Sequence, residues 1–225
     1  MVKKIKIIIL FCLILTSCAD YYGSEARKLE SEEKYEEAIV LLDKVIKKKP
    51  KNIYALMNRG VDKSLLEDYK GAIEDYSRII EIDESNTLAY LNRGKNKIRI
   101  KDYAGAIEDF EKAIKTKGSE NMWMDWVENP FGNRSDFDVK MEEIRFERGR
   151  ARYFIYEFNA ALDDFNFCLQ KNFCVPESHS MIGMIYISCE MFEEGCKALF
   201  KAKKLGADVQ EEIDIYCKNK RTIKN

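Results

Sequence analysis

The sequence predicts an all-helical fold of stacked helix-turn-helix repeats, and three observations carry that prediction. A short motif recurs as Asn58-Arg59-Gly60, Asn92-Arg93-Gly94 and the related Glu147-Arg148-Gly149. Nine residues after each glycine stands an aromatic residue, Tyr69, Tyr103 or Phe158, and twelve after it an alanine, Ala72, Ala106 or Ala161. The first two copies lie 34 residues apart, a period at which each unit buries its apolar face against its neighbours. Only three prolines occur in 225 residues and strand-like alternation is scarce, which leaves helices uninterrupted. A composition of 46% hydrophobic and 34% charged residues supports both a core and a solvated surface. Lys and Arg (38) nearly balance Asp and Glu (39), so no basic field marks nucleic acid as a partner.

The N-terminal segment reads as a processing signal. Lys3, Lys4 and Lys6 precede an apolar run of nine residues, Ile7 to Leu15, too short for a bilayer-spanning helix of about 20 residues. The following Leu15-Thr16-Ser17-Cys18 resembles the lipobox of bacterial lipoproteins. That resemblance implies a signal peptide over 1–17, lipidation of Cys18 and attachment to a membrane through acyl chains, each buried methylene contributing about 0.8 kcal/mol. A plain secretory signal with a coincidental cysteine, or an uncleaved anchor, are the other readings. Without the leading lysines, 35 basic side chains face 39 acidic ones, a net charge of −4 that draws the body to neither anionic lipid nor nucleic acid. Lipoproteins retained in the inner membrane tend to carry aspartate after the cysteine; here Ala19 stands there. The expectation is the cell envelope, on the periplasmic face of the outer membrane.

Beyond Cys18 the chain resembles the tetratricopeptide repeat, a helix-turn-helix unit of the same 34-residue period. The resemblance divides it into repeats 1–3 over 18–120, an aromatic insertion over 121–141, repeats 4 and 5 over 142–207, and a capping helix and tail over 208–225. It implies about five units forming a helical solenoid. Gly60, Gly94, Gly149 and Gly183 each cost a helix roughly 1 kcal/mol against alanine, and close approach of the paired helix is the reason expected for them. The small residues Ala72, Ala106, Ala161 and Gly195 are expected opposite. Tyr76, Phe110, Phe165 and Leu199 are expected to fill the core between repeats. Asp68 and Asp102 fit as caps of the second helices.

The arginine of the motif departs from the family's usual leucine. Arg59, Arg93 and Arg148 are each followed 16 residues later by an aspartate, Asp75, Asp109 or Asp164, whereas repeats 1 and 5 lack both members. Joint presence and joint absence predict a ladder of Arg–Asp pairs, within or between units; three independently solvated arginines are the alternative. The pairs Asp163-Asp164 and Glu193-Glu194 read as solvated outer faces, and Lys47-Lys48-Lys49 as cations at a helix C-terminus.

In this family the first helices line a concave groove. Carried over, that face holds Asn58 and Asn92, placed to bond a peptide backbone, and Lys95, Arg99 and Arg150, placed to meet carboxylates. Tyr153 and Phe154 belong to the same face. The clamp by which chaperone-binding members hold a terminal carboxylate is absent, since Gly23, Arg27, Leu88 and Asn92 occupy its places. The insertion holds both tryptophans, Trp123 and Trp126, with Phe131. It is either an aromatic partner-binding element or a loop folded back over a mismatched repeat junction.

Five cysteines lie in the last third of the chain. Cys196 with Cys217 is the disulfide expected first; burial as free thiols is the alternative. With no CxxC pair, no phosphate loop, no nucleophile elbow and one histidine, His179, neither metal, cofactor nor catalysis is expected. The implied function is a membrane-anchored, non-catalytic scaffold binding a protein or peptide partner. The alternative is a periplasmic carrier or receptor that binds a small ligand or peptide in the concave groove, favoured by Phe146, Tyr153 and Phe154.

Overall fold

A computed structural model describes residues 21–116 and 139–218. Residues 21–31 are helical (α1), followed by α2 (Tyr35–Lys48), α3 (Ile53–Leu65), α4 (Tyr69–Ile82), α5 (Thr87–Arg99) and α6 (Tyr103–Lys115). After residue 139 come α7 (Met141–Phe154), α8 (Phe158–Gln170), α9 (Val175–Ser188), α10 (Phe192–Lys204), α11 (Gln210–Ile213) and a π-helical turn, Asp214–Lys218. Helix α7 opens one residue earlier than the repeat boundary expected at Glu142. No strand occurs among the described residues. The helices through α5 belong to one compact unit and those from α6 onward to a second.

The helices alternate in amphipathic pairs joined by one kind of turn. Glu33, Glu67, Lys101, Tyr156 and Glu190 all have positive φ, between 58° and 64°. At the second of these turns Glu67 N–H donates to Ser64 and Asp68 N–H to Lys63. This is the Schellman arrangement, which satisfies carbonyls that the ending helix leaves open. Lys34, Asp102, Glu157 and Met191 close the other four turns in the same way, on Leu29, Lys97, Arg152 and Tyr186. No glycine marks these turns, so nothing in the sequence advertised the left-handed residue.

Side-chain caps start several helices. Asn52 accepts from Ala55 N–H and Asn86 from Ala89 N–H, both at 2.9 Å, while Asp68 accepts from Gly71 N–H at 3.0 Å as expected. In the first unit Leu42, Leu56, Tyr76 and Ile79 are fully buried between successive helices. In the second, Phe165, Ile182 and Ile185 form one cluster, and Leu199, Ala202, Val209 and Ile213 another beneath the C-terminal cap.

Close approach of the paired helix meets the glycines as expected, and an added Cβ on Gly183 would stand 3.1 Å from the Gly195 carbonyl oxygen, but the nearest neighbour is in each case a bulky residue. A Cβ on Gly60 would stand 2.8 Å from Cε1 of Tyr76, one on Gly149 3.0 Å from Phe165, and one on Gly183 2.9 Å from Leu199. The bulky residue thus lies on the glycine of its own repeat rather than serving only the core between repeats. A bulky side chain pressed this close to a helix needs the volume of the missing methyl.

Candidate functional site

The motif arginines organise charge inside each unit. Arg59 forms a two-pronged pair with Asp75, its Nε donating at 2.9 Å. Arg148 does the same with Asp164, at 2.9 Å from Nε and 2.6 Å from Nη2. Both aspartates are almost fully buried, so each carboxylate needs full compensation. A second cation supplies it: Lys63 reaches Asp75 at 2.9 Å and Arg152 reaches Asp164 at 2.8 Å. Asp164 is therefore buried and ion-paired, against the solvated reading of Asp163-Asp164; Asp163 is exposed. Burial of Asp164 and its distance from solvent follow from the helix face that turns towards Gly149, whose added Cβ would meet Asp164 Cβ at 3.2 Å.

Sequence reading overlooked that second cation. Lys63, Lys97 and Arg152 each stand four residues after a motif arginine, whereas repeats 1 and 5 have Leu29 and Tyr186 there. The signal was present as a third column that covaries with the other two. The arginines also reach backwards: Arg59 pairs with Asp43 of the preceding repeat, Arg93 donates to Ser77 at 3.1 Å, and Arg152 lies 3.4 Å from Glu111. Arg93 additionally covers the Tyr90 ring at 5.6 Å.

The residues expected to line a groove in the first unit lie on α3 and α5. Asn58 is half-buried and hydrogen-bonds Glu30. Asn92 donates from Nδ2 towards Met57 Sδ at 3.6 Å, and Asn96 Nδ2 donates to the Asn92 carbonyl. Arg99 is exposed at the end of α5, donating to Tyr69 Oη at 2.8 Å with its guanidinium 5.1 Å above that ring. Lys95 is half-buried. Between these polar groups Val61 and Leu65 stay 38% and 55% exposed one turn apart on α3.

Electrostatically this face is uneven. Asp62, one turn after Asn58, is only 2% exposed, and burial together with the like charge of Glu30 pushes its carboxyl up to about 7. Glu30 is also raised by burial, against the lowering effect of Arg27 and the Asn58 hydrogen bond. Tyr76 is raised by burial and by the neighbouring Asp75 and Asp62.

In the second unit the remaining site residues lie among aromatic rings. Phe154 stacks on Tyr103 at 4.7 Å and meets Tyr153 edge-on at 5.5 Å. Phe146 packs on Phe165 and Phe173, and both Phe146 and Tyr153 lie against the cluster of Phe165, Ile182 and Ile185. Arg150 donates to Glu147 at 2.9 Å. Cys196 and Cys217 are joined in a disulfide, and Cys168, Cys174 and Cys189 are free thiols. Burial pushes the Cys168 thiol up to about 12, well away from a nucleophilic thiolate. His179 is lowered by burial and by Lys201. Cys18, Trp123, Trp126 and Phe131 lie outside the described residues. Among the described residues no cluster of metal-ligating side chains and no helix long and apolar enough to cross a membrane occurs.

Comparison with known proteins follows the same repeat. A tetratricopeptide repeat family model matches residues 88–119. The chain is similar to solved structures of MamA protein (TM-score 0.67, 18% identity, covering 88% of this chain and 95% of that one). It is similar to MamA from Desulfovibrio magneticus RS-1 (TM-score 0.68, 14% identity, 84% and 94% covered). A third is YrrB, described as a TPR protein with an unusual peptide-binding site (TM-score 0.64, 19% identity, 83% and 86% covered). The fold is the tetratricopeptide-repeat helical solenoid. No curated protein matches the chain. Identities this low make the likeness one of fold.

Proposed function

We propose that this protein is a membrane-anchored, non-catalytic interaction scaffold of the bacterial cell envelope, which holds a protein or peptide partner on the inner face of its repeats. The observation that supports the reading best is that face in the first unit. Val61 and Leu65 remain exposed on α3 beside Asn58, Asn92, Lys95 and Arg99, an apolar strip bordered by groups suited to a peptide backbone and charged side chains. YrrB, which shares the fold, is described as having an unusual peptide-binding site, and a similar use of the groove is part of the proposal. Anchoring rests on the lipobox-like Leu15-Thr16-Ser17-Cys18. Tyr22 stands four positions after Cys18, a reach of about 14 Å at full extension, which would hold α1 near the bilayer.

The test is crosslinking in the native envelope, followed by identification of the captured protein. Replacement of Val61 and Leu65 by Ser is expected to remove the partner while leaving the helical signal intact; undiminished capture would overturn the placement on this face. Mass analysis of the mature N-terminus tests the anchor, and an unmodified chain or one retaining Met1 would refute it. The carrier reading rests on Phe146, Tyr153 and Phe154, of which Phe146 and Tyr153 pack against one hydrophobic cluster and Tyr153 meets Phe154.

A further inference from the structure

Helix α2 gathers like charge at one end that its own fold does not neutralise. Its acids Glu36 and Glu37 lie in the first turn and its lysines Lys47 and Lys48 in the last. Lys44 stands one turn before Lys48, and all three lysines are exposed. At spacings of three and four residues they share one face of the helix. The ammonium groups of Lys44 and Lys48 both lie over the ring of Tyr22 on α1, at 5.2 and 5.1 Å from its centroid. Among the described residues none of the three lysines forms a salt bridge. Asp43, the carboxylate beside Lys44 in the sequence, is held by Arg59 instead.

Like charges at this spacing weaken a helix, so their gathering calls for a cause. The helix dipole favours Lys47 and Lys48, but it fades within the last turn and acts little on Lys44. Attraction to the Tyr22 ring steadies two of the ammonium groups without removing their charge. Apolar side chains are exposed at the same end. Val40, one turn before Lys44 on the same face, is 54% exposed. Tyr21 is 60% exposed and meets Tyr22 edge-on at 5.8 Å. Unpaired lysines beside an exposed aliphatic side chain and an exposed tyrosine match the chemistry of a membrane interface, where ammonium groups meet headgroups and amphipathic rings settle at their level.

We propose that Lys44, Lys47 and Lys48, with Tyr21 and Val40, form a contact surface for anionic phospholipid headgroups. Its place beside a bilayer rests on the reading of Cys18 as the lipid-bearing residue, four positions before Tyr22; the preference for anionic lipid rests on the patch alone. The acidic balance of the whole body does not oppose it. A surface charge is felt over about 8 Å at physiological salt, so a net charge summed along the chain does not set the field at one end. Acyl chains hold the protein at the membrane, and the patch sets which face of the first repeat turns towards it.

The experiment sediments the full-length chain carrying Cys18→Ser, which has no cysteine there to acylate, with vesicles of phosphatidylcholine alone or with about one third phosphatidylglycerol. Each lysine near an anionic surface strengthens binding about fivefold. Phosphatidylglycerol is therefore expected to raise the partition coefficient, and Lys44→Gln, Lys47→Gln and Lys48→Gln together to cut that gain at least about tenfold. Arginine at the same three positions is expected to preserve it. Lys197→Gln, Lys201→Gln and Lys204→Gln remove the same charge from the second unit and are expected to leave the gain unchanged, with circular dichroism checking that every variant stays helical. A gain that survives the first set would overturn the patch. Equal losses from the two sets would overturn it too, since net charge alone would then govern binding. An unmodified mature N-terminus would refute the anchor, and the phosphatidylglycerol dependence would still decide the patch.

Discussion

Buried carboxylates separate two kinds of residue in this chain. Asp164 is 1% exposed and accepts from Arg148 and Arg152, with Arg145 at 3.9 Å. Truncating one member of such a set leaves uncompensated charge in the interior, at a cost of about 3 to 5 kcal/mol. Asp164→Ala is therefore expected to cost about that much in urea denaturation. In an Asp164→Ala background, Arg148→Ala is expected to cost much less than it does alone; additive losses would show that the two side chains act independently. Asp62 has the opposite sign. Its carboxyl sits at about 7 in the folded chain against an ordinary value of 3.8. Between those values the folded state holds a proton that the unfolded state has lost, so stability falls as pH rises towards 7, and above 7 the penalty is complete. Asp62→Asn is expected to match the native protein at pH 4 and to exceed it by up to about 4 kcal/mol at pH 8, at about 1.4 kcal/mol for each pH unit between the two values. Thermal melting at both values measures the difference, and equal gains at both would refute the assignment.

Helices in this fold are defined by what the turn between them and the face opposite them allow. The glycine and the bulky residue 16 positions on form one fitted pair: Gly60 with Tyr76, Gly149 with Phe165, Gly183 with Leu199. Gly60→Ala would gain helix propensity of about 1 kcal/mol. It would also set a methyl 2.8 Å from the ring of a fully buried tyrosine, and overpacking of that kind costs about 1 to 3 kcal/mol. A net loss of stability is expected; a gain on calorimetry would show that the ring moves aside freely. The sequence carried much of this scale, because period and glycine placement are local properties of a repeated hairpin. It did not carry the left-handed turns, whose residues are Glu33, Glu67, Lys101, Tyr156 and Glu190. A Schellman closure imposes positive φ by its two backbone hydrogen bonds, whatever the side chain.

At the scale of the whole molecule, the repeats need an end. In the second unit, the cap of α11 and the turn after it covers Leu199 and Ala202 with Val209 and Ile213, and the Cys196–Cys217 disulfide holds it across a separation of 21 residues. A repeat array depends on such a cap, because its last unit has no neighbour to bury its apolar face. A loop of that length gives a cross-link worth about 3 kcal/mol. Cys217→Ser is expected to lower the denaturation midpoint accordingly, and to leave the midpoint insensitive to reductant. A persistent reductant effect in the variant would place the relevant bridge elsewhere. The three free thiols, Cys168, Cys174 and Cys189, supply the serine variants for that control.

What the amino-acid sequence determined by itself was the repeat, the helical class and the Arg–Asp spacing, because all three follow from relations inside one unit or one period. The pairs Arg59–Asp75 and Arg148–Asp164 are 16 residues apart, and that distance along a hairpin always returns the chain to the same level. What only the tertiary structure decided was compensation. Glu30, Asp62 and Asn96 come from three different repeats, and their sequence neighbours do not distinguish them from solvated polar residues. Stacking left Asp62 and Asn96 2% and 3% exposed and brought Asn58 of the next repeat to Glu30 as a donor. Burial is a property of neighbours across the fold, and together with Glu30 it pushed the Asp62 carboxyl up to about 7.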